Sequence, residues 1–81
     1  MIKILVVGLP GNMATTFAKH ALRVQGIDIV KFSITGDDIE ENECLIDGRS
    51  FHLIKCTDRR AIERLFEEEK PAIVVDYTEL K

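Results

Sequence analysis

The stretch that decides the fold follows the first apolar run and reads Val6-Val7-Gly8-Leu9-Pro10-Gly11-Asn12-Met13-Ala14. The run itself, residues 2–7, is almost entirely apolar, as in a parallel strand covered on both faces. Beyond the stretch, apolar residues recur at helical spacing at Met13, Phe17, Ala21 and Val24. The sequence therefore predicts a strand, a tight turn and a helix, with Asn12 as the N-cap and Gly26 as the stop.

The glycines of this turn are spaced as a variant of the GxGxxG dinucleotide fingerprint, with Gly8, Gly11 and Ala14 in a GxxGxx(G/A) pattern. Gly8 permits a tight exit from the strand, Gly11 lets backbone approach a pyrophosphate, and Ala14 permits close helix–strand packing. A helix that begins near Asn12 directs free N–H groups at such an anion. A turn that simply requires two glycines fits the spacing equally well, so both interpretations stay open.

Four further elements follow along the chain. Residues 28–34 form a second strand, and Asp47-Gly48 is a hairpin turn that joins residues 43–46 to residues 49–55. Residues 50–55 of the second arm continue the sheet as a third main strand. A helix then runs from a Thr57 cap to about Glu69, with a buried stripe at Ile62, Leu65 and Phe66, and residues 72–76 form the last strand.

This order predicts one α/β domain over residues 1–81: a small Rossmann-like parallel sheet of about four strands and two helices, with a hairpin excursion after the second strand. The first strand is expected in the centre, with the second and third strands on one side and the last on the other. A ligand would bind at the switch point between the first and last strands. The apolar last strand would form an exposed edge. We therefore expect a C-terminal substrate domain or a second subunit to cover it.

Composition and charge exclude several classes. The net charge is −3, and no basic stripe is present to bind nucleic acid. No apolar run approaches the roughly 18 residues of a membrane span, so we expect a cytoplasmic protein.

The hairpin register places Cys56 about 16 Å past the partner of Cys44. A disulfide needs about 7 Å or less between Cα atoms, so both cysteines are expected to be reduced. No spacing of histidines and cysteines predicts a metal site.

The choice of cofactor depends on the end of the second strand. An NAD site usually carries an acidic residue there, but residues 32–36 contain none before Asp37. The hydroxyls of Ser33 and Thr35, with Lys31 nearby, would suit a 2′-phosphate. The sequence thus predicts NADP or NAD, with NADP slightly favoured, although Ser33 and Thr35 are equally suited to ending a strand.

Three segments resemble the N-terminal domain of dihydrodipicolinate reductase, most closely the plant-type branch: residues 8–14, residues 32–36, and Val74-Val75-Asp76-Tyr77-Thr78. The resemblance implies a cofactor domain of an NAD(P)-dependent oxidoreductase of lysine biosynthesis. It places Thr78 near the nicotinamide. The residues that would line the pyrophosphate are Gly8, Leu9, Pro10, Gly11, Asn12 and Met13.

The chain departs from that family at several places. Asn12 stands where an arginine is frequent, and Ala14 replaces the last glycine. The family's histidine-pair and lysine motif for the substrate has no counterpart, and His20 and His52 are expected to be surface or boundary residues. We therefore predict no catalytic residue in this chain and no reductase activity from it alone. The alternative is a non-enzymatic Rossmann-like module that senses a nucleotide, dimerises or docks a partner.

Overall fold

The structure, a computed structural model, describes residues 1–77. Within that range it has two helices and six strands. Their bounds are β1 Ile2–Val7, α1 Asn12–Ala21, β2 Ile27–Ile29, β3 Phe32–Thr35, β4 Glu43–Ile46, β5 Arg49–Lys55, α2 Arg59–Glu69 and β6 Ile73–Asp76.

The strands form two sheets. In the first, β1 lies between β2 and β6 and is parallel to both. In the second, β5 lies between β3, its parallel partner, and β4, its antiparallel partner. The predicted central position of the first strand is confirmed, with the last strand on one side and the second strand on the other. The third main strand, β5, was expected in this same sheet, and that prediction is wrong, because β5 lies in the second sheet. The chain is therefore a small α/β fold with one parallel and one mixed sheet.

The predicted single strand over residues 28–34 is wrong, because this segment forms two strands that pair with different neighbours. β2 pairs with β1, whereas β3 pairs with β5. Between them, the Val30 N–H donates to the Ile4 carbonyl at 2.9 Å, and the Lys31 carbonyl accepts from the His52 N–H at 2.8 Å. The Gly8 N–H also donates to the Ile34 carbonyl at 2.9 Å. The first two bonds extend the pairing within each sheet, and the bond from Gly8 to Ile34 joins the end of β1 in one sheet to β3 in the other.

The hairpin turn is confirmed. Asp47 and Gly48 have φ of 48° and 81°, the positive pair that a two-residue type I′ turn requires. The predicted register is also confirmed, with Cys44 opposite Phe51. Both cysteines are free; burial raises the pKa of the Cys44 thiol, while Cys56 is exposed beyond the end of β5. The parallel strands β3 and β5 are therefore connected through β4 of the hairpin, and not through a helix.

The two helices pack on opposite faces of β1, because successive side chains of a strand alternate between faces. Ile4 and Val6 belong to the cluster that contains the buried alanines of α1. Leu5 and Val7 belong to a second cluster, which contains Leu65 of α2. β1 is therefore buried on both faces, as its continuous apolar run predicted.

The predicted buried stripe of α1 is confirmed at Ala21 and wrong at Met13 and Val24, which are 70% and 50% exposed. Phe17 is half-buried against the core, and the buried residues of the helix are Ala14, Ala18 and Ala21. Three small side chains let the helix lie close to the sheet, which a stripe led by methionine would not allow. The helix also ends at Ala21, because the next turn tightens into bonds from Arg23 N–H to His20 O and from Val24 N–H to Ala21 O.

The N-cap of α2 is Asp58, not Thr57. The Asp58 carboxylate accepts a hydrogen bond from the Ala61 N–H at 3.2 Å, which satisfies one of the free donors of the first turn. Of the predicted stripe, only Leu65 is buried, while Phe66 is 38% exposed. The helix therefore rests on the sheet mainly through one leucine.

Replacing Asp58 by alanine is expected to lower the free energy of unfolding by about 1 kcal/mol, because one N–H of the first turn loses its acceptor. Urea denaturation followed by circular dichroism measures the change. Thr57→Ala is the matched control and should leave the midpoint unchanged. Equal losses from both variants would contradict the assignment of the cap.

The last strand leaves apolar surface exposed, as predicted. β6 is at one edge of its sheet, and Ile73 and Val74 remain 45% and 46% exposed. Within residues 1–77, neither helix has the length and apolar character needed to cross a membrane.

Candidate functional site

The glycine turn begins where β1 ends and is held by backbone hydrogen bonds. Gly8 has φ of 115°, which favours glycine, and the Gly11 N–H donates to the Gly8 carbonyl at 2.8 Å. A Cβ on Gly11 would lie 2.9 Å from that same carbonyl oxygen. Leu9 is fully buried and packs in the core with the α1 alanines. The turn is thus anchored by Leu9 and closed by two glycines in close contact.

Ser33 supports the turn from below. It is fully buried, and its hydroxyl donates to the Val6 carbonyl at 2.6 Å and accepts from the Leu9 N–H at 3.3 Å. The Ser33 hydroxyl therefore satisfies a carbonyl group near the end of β1 and an N–H group of the turn. Ser33 contacts the backbone of the turn and does not line the cleft above it.

The first turn of α1 opens directly from the glycine turn. Gly11 occupies the N-cap position, so the helix begins with no side-chain cap, and Asn12 is its first residue instead of the predicted N-cap. No acidic side chain lies in this first turn. The uncapped N–H groups and the positive end of the helix dipole are therefore available to an anion.

A cleft of about 750 Å³ lies at the carboxyl ends of β1, β3 and β6, above the glycine turn. Its lining residues are Gly8, Pro10, Gly11, Asn12, Met13, Thr35, Gly36, Asp38, Ile39 and Tyr77. Six of these were predicted from the sequence as cofactor-binding residues, and they come from both the glycine turn and the end of β3. The cleft lies at the predicted switch point between β1 and β6.

Two predicted site residues are placed elsewhere, because Leu9 and Ser33 are buried beneath the turn. The predicted Thr78 lies outside the described residues. Lys31, which supported the preference for NADP, precedes β3 and lines a separate pocket with Arg49. Of the three groups that favoured a 2′-phosphate, only Thr35 lines the cleft, and its side chain is 2% exposed.

Four lining residues were not predicted: Gly36, Asp38, Ile39 and Tyr77. Gly36 and Asp38 belong to the loop after β3, which returns over the cleft. The Asp38 carboxylate lies close to Gly36, since a Cβ on that glycine would be 2.6 Å from Asp38 Oδ1. The signal was present in the sequence, because Asp38 is only three residues beyond the end of the strand at Thr35.

The charges of this cleft are simple. Asp38 is the one carboxylate among its described lining residues, and no lysine or arginine is among them. A phosphate in this part of the chain would therefore be held by N–H groups and the helix dipole. A group that carries hydroxyls, such as a ribose, could donate hydrogen bonds to the Asp38 carboxylate.

A smaller apolar groove continues from the cleft along α1. It shares Asn12, Met13 and Tyr77 with the cleft and adds Phe17 and His20. The rings of Phe17 and Tyr77 are 5.7 Å apart at 45°. The cleft and the groove together place the uncapped start of α1 beside apolar and aromatic surface.

The two histidines lie apart from the glycine turn in the chain, on α1 and β5. Both are exposed, as predicted; His52 stacks on Phe32 and lies 3.6 Å from Glu43. Among residues 1–77, no three His, Cys, Asp or Glu side chains are grouped to hold a metal ion.

No protein-family model, curated protein or solved structure matches this chain.

Proposed function

We propose that the cleft binds a nicotinamide dinucleotide, with the pyrophosphate against the glycine turn and the first turn of α1. The observation that carries the proposal is the uncapped start of α1 above two closely packed glycines, in a cleft of about 750 Å³. β1 in the centre and a helix on each of its faces favour a Rossmann-like interpretation of the fold.

The position of Asp38 favours NADH over NADPH in this proposal. A carboxylate accepts hydrogen bonds from ribose hydroxyls but repels a 2′-phosphate. The hydroxyl of Ser33 is already engaged with the backbone, and Lys31 lines another pocket. The preference that we propose is therefore the reverse of the slight preference for NADP indicated by the strand-end residues.

The wider role that we propose is that of the cofactor domain of a dihydrodipicolinate reductase-like oxidoreductase, on the strength of the three resembling segments. In that role the nicotinamide supplies the hydride, and the residues of this chain bind and orient the cofactor. The exposed edge at Ile73 and Val74 would pack against a substrate-binding segment or a second subunit. The same exposed edge also favours the second candidate function, a nucleotide-sensing or docking module without catalysis.

Calorimetric titration of the chain with NADH, NADPH and ADP-ribose tests the proposal. We expect saturable binding of NADH and ADP-ribose that weakens little with salt, because no lysine or arginine lines the described part of the cleft. Absence of binding at millimolar concentration of all three ligands would overturn the assignment of the cleft.

Asp38→Asn is expected to improve NADPH binding relative to NADH by about fivefold, since removing a nearby like charge is worth about 1 kcal/mol. The ratio of the two dissociation constants is the measurement. Glu40→Gln removes the same charge from the same loop outside the cleft lining and should leave the ratio unchanged. Equal shifts in both variants would show that net charge, and not the position of Asp38, sets the preference.

A further inference from the structure

The loop between β3 and β4 is attached to β5 at three points. At its two ends, the Cys56 N–H donates to the Thr35 carbonyl at 2.8 Å, and the Leu53 N–H donates to the Asn42 carbonyl at 2.8 Å. Between these backbone bonds, Lys55 Nζ donates to the Ile39 carbonyl. The middle of the loop is thus held by a side chain, and both ends are held by the sheet.

This loop forms one wall of the cleft. Asp38 and Ile39 both line the cleft, and Ile39 also packs against the core. The Ile39 N–H donates to the Gly36 carbonyl at 3.2 Å, so residues 36–39 make a closed turn. Because Lys55 bonds the carbonyl of Ile39, it holds the peptide unit between Ile39 and Glu40, on the far side of the residue that follows Asp38.

The loop is also strongly acidic. Residues 36–42 include four carboxylates, at Asp37, Asp38, Glu40 and Glu41. Within residues 1–77, none of these four makes a salt bridge, and neither does Lys55, which is half-buried. Like charges this close repel one another and favour an open loop. The ammonium group of Lys55 is the cation that the structure places against the loop backbone.

We infer that Lys55 is a positioning residue that fixes the Asp38 wall of the cleft and thereby sets which dinucleotide the cleft accepts. The part of this inference that concerns the dinucleotide rests on the proposed function. The part that concerns the loop rests on geometry alone. Lys55 lies opposite Thr35 in the parallel register, outside the cleft lining, so it acts through Ile39 and Asp38 without contacting a ligand.

The test uses Lys55→Met, which keeps the length of the side chain and removes its charge and its donor. Lys31→Met is the matched control, because Lys31 is an exposed lysine outside the cleft. Lys55→Arg restores a charged donor, and Lys55→Gln replaces Lys55→Met if that variant does not fold. Two quantities are measured: amide hydrogen exchange of residues 37–41 without ligand, and the ratio of the dissociation constants for NADPH and NADH.

We expect Lys55→Met to speed exchange in the loop about fivefold to tenfold, as the loss of one hydrogen bond allows. We also expect the selectivity for NADH to fall by at most about fivefold, the effect expected from Asp38→Asn, because Asp38 no longer keeps its position. Lys55→Arg should recover most of both effects. In 0.5 M salt the exchange difference should shrink, because repulsion within the loop is screened.

Unchanged exchange in Lys55→Met would overturn the inference, as would equal effects from Lys31→Met. Faster exchange with unchanged selectivity would overturn the role in specificity. If the unsubstituted chain binds no dinucleotide, the proposed function fails and the role in specificity fails with it, while the exchange experiment still decides whether Lys55 holds the loop.

Discussion

Replacing Gly11 by valine is expected to weaken dinucleotide binding by roughly 5- to 150-fold, the equivalent of about 1–3 kcal/mol of overpacking. The cause is steric. A Cβ at this position lies 2.9 Å from the Gly8 carbonyl oxygen, which is backbone and cannot rotate away. Relieving that contact separates the two glycines and shifts the N–H groups that face the cleft. Calorimetric titration with NADH measures the loss.

Gly26→Ala is the control for this experiment. Gly26 has φ of 90°, so alanine there strains the backbone, but its carbonyl accepts from Ile2 at the opposite end of β1. It should lower stability and leave binding intact. If Gly11→Val binds NADH as tightly as the unsubstituted chain, the glycine turn is not the pyrophosphate site.

Replacing Ser33 by alanine is expected to lower the free energy of unfolding by about 2–4 kcal/mol. The substitution leaves the Leu9 N–H and the Val6 carbonyl without the hydroxyl that now satisfies both, and each buried unsatisfied group costs about 1–3 kcal/mol. This is a large share of the roughly 4–12 kcal/mol typical of a chain of this size. Urea denaturation measures the loss.

Ser50→Ala is the matched control, since Ser50 is exposed on β5. It should change stability by less than about 0.5 kcal/mol. A fully folded Ser33→Ala variant should also bind NADH more weakly, because the turn above it loses its support. A stability loss no greater than that of Ser50→Ala would contradict the supporting role of this serine.

Elements coded by local chemistry were predictable from the sequence. The hairpin register follows from Asp47-Gly48, and the glycine turn follows from residues within one loop. The sequence was less able to decide between two adjacent residues that suit the same structural role. Met13 and Ala14 both suit an apolar stripe, and Thr57 and Asp58 both suit an N-cap; the distance to the sheet and the turn geometry decide between them.

The rest of the candidate site depends on contacts between distant parts of the chain. Asp38 lines the cleft, and Lys55, from another strand, bonds the carbonyl of the next residue. Ser33 lies in β3, where the chain has left β1 to pair with β5, and its hydroxyl bonds the backbone of both β1 and the glycine turn. The short distance of Asp38 from the strand end is a local signal, but no local pattern in residues 32–39 shows the contacts with Lys55, Val6 and Leu9. The sequence located the turn, and the tertiary structure determines which neighbours face it.

The central place of β1 has a consequence for folding during synthesis. Ile4 pairs with Ile29 on one side and with Ile73 on the other, so β1 needs β6, which is made much later, to complete its sheet. Such long-range pairing slows folding. Until residue 76 has left the exit tunnel, β1 keeps one backbone edge open in the nascent chain. The parallel sheet around β1 therefore closes only after β6 has been translated.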